Sequence, residues 1–90
     1  MPLKESTVQK NVSDYFKLQG WLVVKIIQTT LNGWPDLQCH KNGKTVFIET
    51  KAEKGIVSPL QFYRHEQLMK QGFEVYVIHS INDLINVKIS

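Results

Sequence analysis

The stretch Asp36-Leu37-Gln38-Cys39-His40-Lys41-Asn42-Gly43-Lys44-Thr45-Val46-Phe47-Ile48-Glu49-Thr50-Lys51 decides how the rest of the chain is read. Two runs of strand character flank Asn42-Gly43, a dipeptide suited to the positive φ angles of a tight hairpin turn, so residues 36–40 and 45–51 are expected to pair antiparallel. Side chains alternate along a strand. Phe47, Glu49 and Lys51 therefore share one face, and Val46, Ile48 and Thr50 the other. The apolar segment Val46 to Ile48 needs burial, which puts Glu49 and Lys51 at the strand's end, where sheet meets loop. Asp36 and Glu49 are each about six to seven residues from the turn, on opposite arms. Two carboxylates and an ammonium are thus expected together at one end of one sheet.

Outward from the hairpin the chain alternates between helix and strand patterns. Upstream, Glu5, Val8, Val12, Tyr15 and Phe16 recur at helical spacing, and Gly20 is placed to end that helix. Its start has two readings: Ser6 with Gln9 as a capping box, or Pro2 as a first-turn proline with Glu5 inside the helix. Trp21 to Ile27 is a β-branched apolar run expected to form a central strand, followed by a polar loop ending in Asn32-Gly33. Downstream, Ser58-Pro59-Leu60-Gln61 supplies an N-cap, an N1 proline and a capping-box glutamine, and Gly72 marks the far end of that helix. Phe73 to His79 reads as another strand, and Ser80 with Asp83 as the cap of a short helical turn before Val87-Lys88-Ile89. The order is α-β-β-β-α-β with a small tail. It predicts an α/β fold with a mixed four-stranded sheet, the first helix on one face and the Ser58 helix crossing to a last strand parallel to the one it follows.

A chain of 90 residues is expected to form one domain, residues 1–90, with a thin core drawn from its 42% apolar content. Oligomerisation would add stability. The single Cys39 has no internal disulfide partner and reads as a core residue in a reduced, cytoplasmic setting, that of a bacterium or a virus-infected host cell. The start Met1-Pro2-Leu3-Lys4-Glu5 has no apolar signal region, and no run approaches the roughly 18 apolar residues of a membrane span. No membrane association is expected. The net charge of +3 leans toward an anionic partner, although an ordinary solvated surface explains that total by itself. If Glu5, Asp36 and Glu49 gather around a cation, 11 basic residues face only 5 remaining acids, a clearer bias toward phosphate.

Taken alone, Glu49-x-Lys51 is most simply an ion pair on a solvated strand end, worth at most about 1 kcal/mol. The hairpin changes this, because closely packed carboxylates need a proton or a cation between them. A divalent metal is the natural resolution. All the ligands on offer are oxygens, so the expected ion is Mg²⁺, with Mn²⁺ as a substitute, and neither zinc nor copper. Magnesium keeps waters whose acidity it raises, which suits hydrolysis of a phosphodiester. Lys51 then has two open roles: neutralising charge on the phosphorus, or orienting and deprotonating the water.

Asp36 preceded by Gly33-Trp34-Pro35, and Glu49-Thr50-Lys51 thirteen positions later, resemble the PD-(D/E)XK nuclease superfamily, and within it the virus-type replication-repair nuclease (VRR-NUC) branch. Further matching features run in order along the chain: Glu5 in the first helix, Gly20, then Gly55, Ser58-Pro59, Gln61 and the helix end Leu68 to Gly72. The resemblance implies a restriction-endonuclease-like core. It implies that Asp36 and Glu49 are metal ligands with the Thr50 carbonyl as a further one, that Lys51 is the catalytic lysine, that Glu5 completes the metal site, and that Gln61 faces it. Without the family, Glu5 is an acid at the positive end of a helix dipole, and Gln61 is the capping-box partner of Ser58, a role hard to combine with one in the site. The implied activity is Mg²⁺-dependent DNA endonuclease action, as a homodimer, on branched DNA such as four-way junctions, with no small-molecule cofactor. Two rivals remain. One is a non-catalytic DNA-binding module of a replication or repair protein, against which the three acids speak; the other is an RNase of the same chemistry.

Other residues carry plainer expectations. His65, in the stripe Phe62, His65, Leu68 and Met69, reads as a hydrogen-bonded core or interface histidine. Trp34 either packs its loop or stacks on a base, packing being the simpler. Lys54 and Arg64 either touch phosphates or belong to a solvated face. Trp21, Phe62, Tyr63, Met69 and Phe73 are candidates for a dimer interface or for the core.

Overall fold

A computed structural model describes residues 2–87 and residue 89 of the chain. Its elements are α1 (Glu5–Leu18), β1 (Leu22–Lys25), β2 (Leu37–Lys41), β3 (Lys44–Thr50), α2 (Pro59–Lys70), β4 (Glu74–Ile78) and α3 (Ile81–Asn86). Asn42 and Gly43 turn the hairpin with φ of 51° and 77°, the doubly left-handed geometry that matches the twist of two antiparallel strands. The register runs from Lys41 against Lys44 to Leu37 against Ile48, so the next pair outward sets Asp36 across from Glu49. β4 lies parallel to β3, Val46 opposite Glu74 through Thr50 opposite Ile78, as the crossover through α2 requires. The sheet order is β1-β2-β3-β4, giving the mixed four-stranded α/β fold expected.

One strand differs from expectation. Among the described residues β1 pairs only with β2 and forms an edge, not the centre. Its apolar run is not buried on both faces: Leu22 is 66% exposed and Ile27, just past the strand, 82%. Pairing ends where the Ile26 N–H donates to the Asp36 carbonyl at 2.8 Å, and the chain then leaves the sheet as the 27–35 loop.

Two layers cover the sheet. On one face Val8, Val12 and Phe16 of α1, with Leu84 of α3, pack on Leu37, Cys39, Val46, Ile48 and Ile78. Each Val, Leu, Ile or Phe side chain among them contributes about 1.5–3 kcal/mol on full burial. Cys39 lies in this layer, and burial pushes its thiol up to about 12. On the other face Phe47 meets Trp34 and Phe73 edge to face, with ring centroids 5.7 and 5.4 Å apart, so Trp34 packs its loop. There α2 buries His65 and Leu68 while Phe62 and Met69 stay exposed, which divides the stripe read from sequence.

The helix starts follow local chemistry. α1 begins at Glu5 with Lys4 as N-cap and no side-chain cap, so Ser6 is not the cap and Pro2 lies before the helix. α2 has the full Ser58–Gln61 capping box with Pro59 in the first turn. At α3 the Asp83 carboxylate accepts from the His79 N–H at 2.8 Å, and Ser80 makes no side-chain cap bond. Lys88 of the expected tail lies outside the described residues. Among the described residues no helix is long and apolar enough to cross a membrane.

The loop before β2 is fastened to α2. Arg64 Nε donates to the Asn32 carbonyl at 2.7 Å, and Gly33, at φ 84°, sits so close to α2 that a Cβ would lie 2.9 Å from Leu60 Cγ and 3.1 Å from the Leu60 carbonyl. A Cβ on Gly43, also left-handed, would meet nothing within 4 Å. Gly43→Ala is therefore expected to cost about 1–2 kcal/mol from backbone conformation alone. Gly33→Ala should cost roughly 1–3 kcal/mol more from overpacking. Urea midpoints at equal m-values check the order, and equal costs would show that the loop yields freely.

Candidate active site

Strand alternation carries Glu49 and Lys51 to the α2 side of the sheet, where Glu49 is only 1% exposed. Both of its carboxylate oxygens are engaged by α2. Oε1 lies 3.2 Å from His65 Nε2, accepting in the tautomer protonated there, and Oε2 accepts from Gln61 Nε2 at 3.4 Å. Gln61 Oε1 in turn accepts from Lys51 Nζ at 2.8 Å and from the Ser58 N–H at 2.9 Å. Gln61 thus caps the helix and faces the site at once, although the sequence made the two jobs look exclusive. An amide manages both because its oxygen has two lone pairs and its nitrogen two protons.

Asp36 completes the cluster from the neighbouring strand. Its Oδ2 accepts from both the N–H and the hydroxyl of Thr50, each at 2.9 Å, and Gln9 Nε2 of α1 donates to the same hydroxyl at 3.3 Å. Burial raises the Glu49 carboxyl above its ordinary value of 4.5, and the charge and hydrogen bond of Asp36 add to this, while the His65 hydrogen bond and the Lys51 charge oppose it. A cavity of about 260 Å³, lined by Gln28, Thr29, Asn32, Gly33 and Trp34 among others, opens beside Asp36.

Asp36, Glu49, Thr50, Lys51 and Gln61 therefore meet at one end of the sheet. Glu5 stands exposed on the first turn of α1 with no hydrogen bond or ion pair to them, and among the described residues no three His, Cys, Asp or Glu side chains are grouped to hold a metal ion. The α1 side chain that does reach the cluster is Gln9, one turn further on. His65 is the other contributor that sequence reasoning left outside the site. Each stands four residues after a residue that was named, Gln9 after Glu5 and His65 after Gln61, so a helical period carried one turn further points to both.

A hairpin that presents Asp36 and Glu49-x-Lys51 beneath a crossover helix, at the end of a mixed sheet, is the core of a nuclease, a hydrolase of phosphodiester bonds. No family model matches the chain. A solved structure described as "VRR_NUC domain" is 33% identical and superposes with a TM-score of 0.82, the match covering 97% of this chain and 99% of that one. "Putative nuclease p44" of Acyrthosiphon pisum secondary endosymbiont phage 1 is 29% identical over 79 residues, 87% of this chain and 85% of that protein. The chain belongs to the VRR-NUC family.

The raised Glu49 carboxyl has a consequence for stability. A carboxyl whose folded value exceeds its unfolded one favours the fold below the unfolded value, near 4.5, and that contribution is lost as pH rises through the folded value. Glu49→Gln removes the titration and keeps the shape. In chelator, the melting temperature of Glu49→Gln minus that of the parent is expected to grow from pH 4 to pH 8. A difference that stays flat across this range would show that Glu49 is not strained by its burial.

Proposed function

We propose that the chain is a single-domain, divalent-metal-dependent DNA endonuclease in which Asp36 and Glu49 hold the cation, with the Thr50 carbonyl as a third oxygen ligand. The observation that carries this reading is the burial of Glu49 beside Asp36, with Lys51 tied to the same group through Gln61. The donor set fits a hard cation: Mg²⁺ is commonly held by one or two carboxylates, its remaining positions going to water and substrate phosphate, and Mn²⁺ accepts the same oxygens. Such an ion supplies a Lewis acid for the phosphoryl oxygens and acidifies the attacking water.

The chain's own groups supply the rest. Lys51 Nζ donates to Gln61, which holds the amine beside the carboxylates, where it would neutralise charge that grows on the phosphoryl oxygens or orient the attacking water. Gln61 bonds both Lys51 and Glu49, and His65 bonds the other oxygen of the Glu49 carboxylate, so these bonds fix its orientation. Glu5 is left out of the proposed ligand set.

Asp36→Asn, Glu49→Gln and Lys51→Ala are each expected to lower cleavage of labelled DNA at least 100-fold while DNA binding persists. Activity should need Mg²⁺ or Mn²⁺, fail in chelator and be poor in Ca²⁺, which has looser geometry and acidifies water less. Wild-type cutting by Glu49→Gln, or cutting in excess chelator, would remove the metal reading.

The proposed substrate is branched DNA, cut by a two-fold homodimer, because one chain offers one site and symmetrical cleavage of a junction needs two at a fixed separation. Phe62, Tyr63 and Met69, exposed by 57, 53 and 48% on α2, are the proposed interface; Trp21 packs against Phe16 instead, with ring centroids 5.4 Å apart. Sedimentation at micromolar concentration should give twice the 10.4 kDa chain mass, and four-way DNA should be cut in preference to linear DNA. Full junction cutting at the monomer mass would remove the dimer.

A further inference from the structure

A second feature begins where the catalytic cluster ends. Gln9, whose amide touches Thr50, also lines a groove of about 350 Å³ that runs between α1 and the edge strand β1. Lys10 and Lys17 line it from α1 and Lys25 from the end of β1, over a floor at Leu37. We propose that this groove is a track for the phosphodiester backbone of nucleic acid, in which Lys10, Lys17 and Lys25 bind successive phosphates on one side of the cleaved bond. The inference rests on the nuclease reading above and adds where the substrate strand lies.

Three observations carry it. The first is continuity: Gln9 donates to Thr50 Oγ1 at 3.3 Å, and that hydroxyl donates to Asp36 Oδ2 at 2.9 Å, so the groove wall and the Asp36 carboxylate belong to one hydrogen-bonded chain. The second is spacing. Lys10 and Lys17 are seven residues apart, as are Ser6 and Ser13 on the same wall, and two helical turns rise about 10 Å. That length covers about three phosphates of one strand of a duplex at about 3.4 Å each.

The third is charge. Three lysines face one acid, Asp14, so the groove holds a surplus of two within a chain of net +3. Lys25 forms no ion pair among the described residues, and the Lys10–Asp14 pair at 2.7 Å is exposed, the kind of bond a phosphate readily exchanges. Among the described residues no aromatic side chain lines the groove. Binding there is to backbone, without base stacking and without sequence preference.

Asp14 makes the proposal testable in both directions. Lys10 holds its carboxyl below the usual range, so at neutral pH it is an anion that competes for Lys10 and repels phosphate. Equilibrium binding of the full chain to fluorescent DNA, measured in Ca²⁺ from 50 to 300 mM salt, is the experiment. The triple variant Lys10→Ala, Lys17→Ala, Lys25→Ala is expected to weaken binding at least tenfold at low salt and to flatten the slope of log K against log salt by about 2 to 3. Asp14→Asn is expected to tighten binding severalfold, a gain that misfolding does not produce. Lys70→Ala, at the end of α2 and away from the groove, should leave both quantities unchanged. If the wild type binds and cuts DNA while the triple variant keeps its affinity and slope, or if Lys70→Ala flattens the slope as much per charge, the track is wrong and the nuclease reading stands. If the wild type neither binds nor cuts nucleic acid of any shape, both fall.

Discussion

Asn42 and Gly43 lock β2 and β3 into a single register, and the placement of every catalytic group descends from it. A slip of one residue would turn each side chain of a strand to the opposite face. Val46 and Ile48 would then leave the α1 layer for the α2 side, and Glu49 would point into the apolar core. In the register observed, Asp36 faces Glu49, and the Thr50 N–H bonds the Asp36 carboxylate. The positive φ of two residues at one end of the hairpin is thus read out as electrostatics at the other.

That electrostatic arrangement opposes folding and needs a partner. A carboxylate as buried as Glu49 is tolerated because α2 presents two donors to it, from side chains one helical turn apart. The same helix is held at its start by the Ser58 cap, and the Gln61 amide that closes this cap also bonds Lys51. Helix capping and site assembly therefore share one side chain, so movement of the first turn of α2 is felt at the catalytic lysine. The loop carrying Gly33 is pressed on the same turn at Leu60, which brings the approach to Asp36 under the control of α2 as well.

Features set by near neighbours were legible in the sequence. The Asn42-Gly43 turn, the strand alternation that pairs Glu49 with Lys51, the Ser58–Gln61 cap and the parallel crossover all depend on spacings of a few residues or on general handedness. β1 was misplaced because Trp21 to Ile27 reports how apolar a segment is and not how many strands flank it. The α1 start was ambiguous because two cap signals lay within five residues, and the chain uses neither. His65 and Gln9 were missed for a different reason: each looks ordinary on its own helix, and its role comes from a partner 16 or 41 positions distant in sequence.

Cys39, sealed between the sheet and α1, behaves as a reporter on the whole assembly. A thiol with its pKa near 12 offers almost no thiolate at neutral pH, and a buried one cannot meet a reagent without the layer above it opening. The rate at which the native chain consumes an alkylating probe therefore counts opening events of the α1 layer. Because no other thiol exists in the chain, that count is read with no engineered label and no background. Conversely, a cysteine introduced on the surface is the only one that reacts promptly, so a dye can be placed at a chosen point while the core stays untouched.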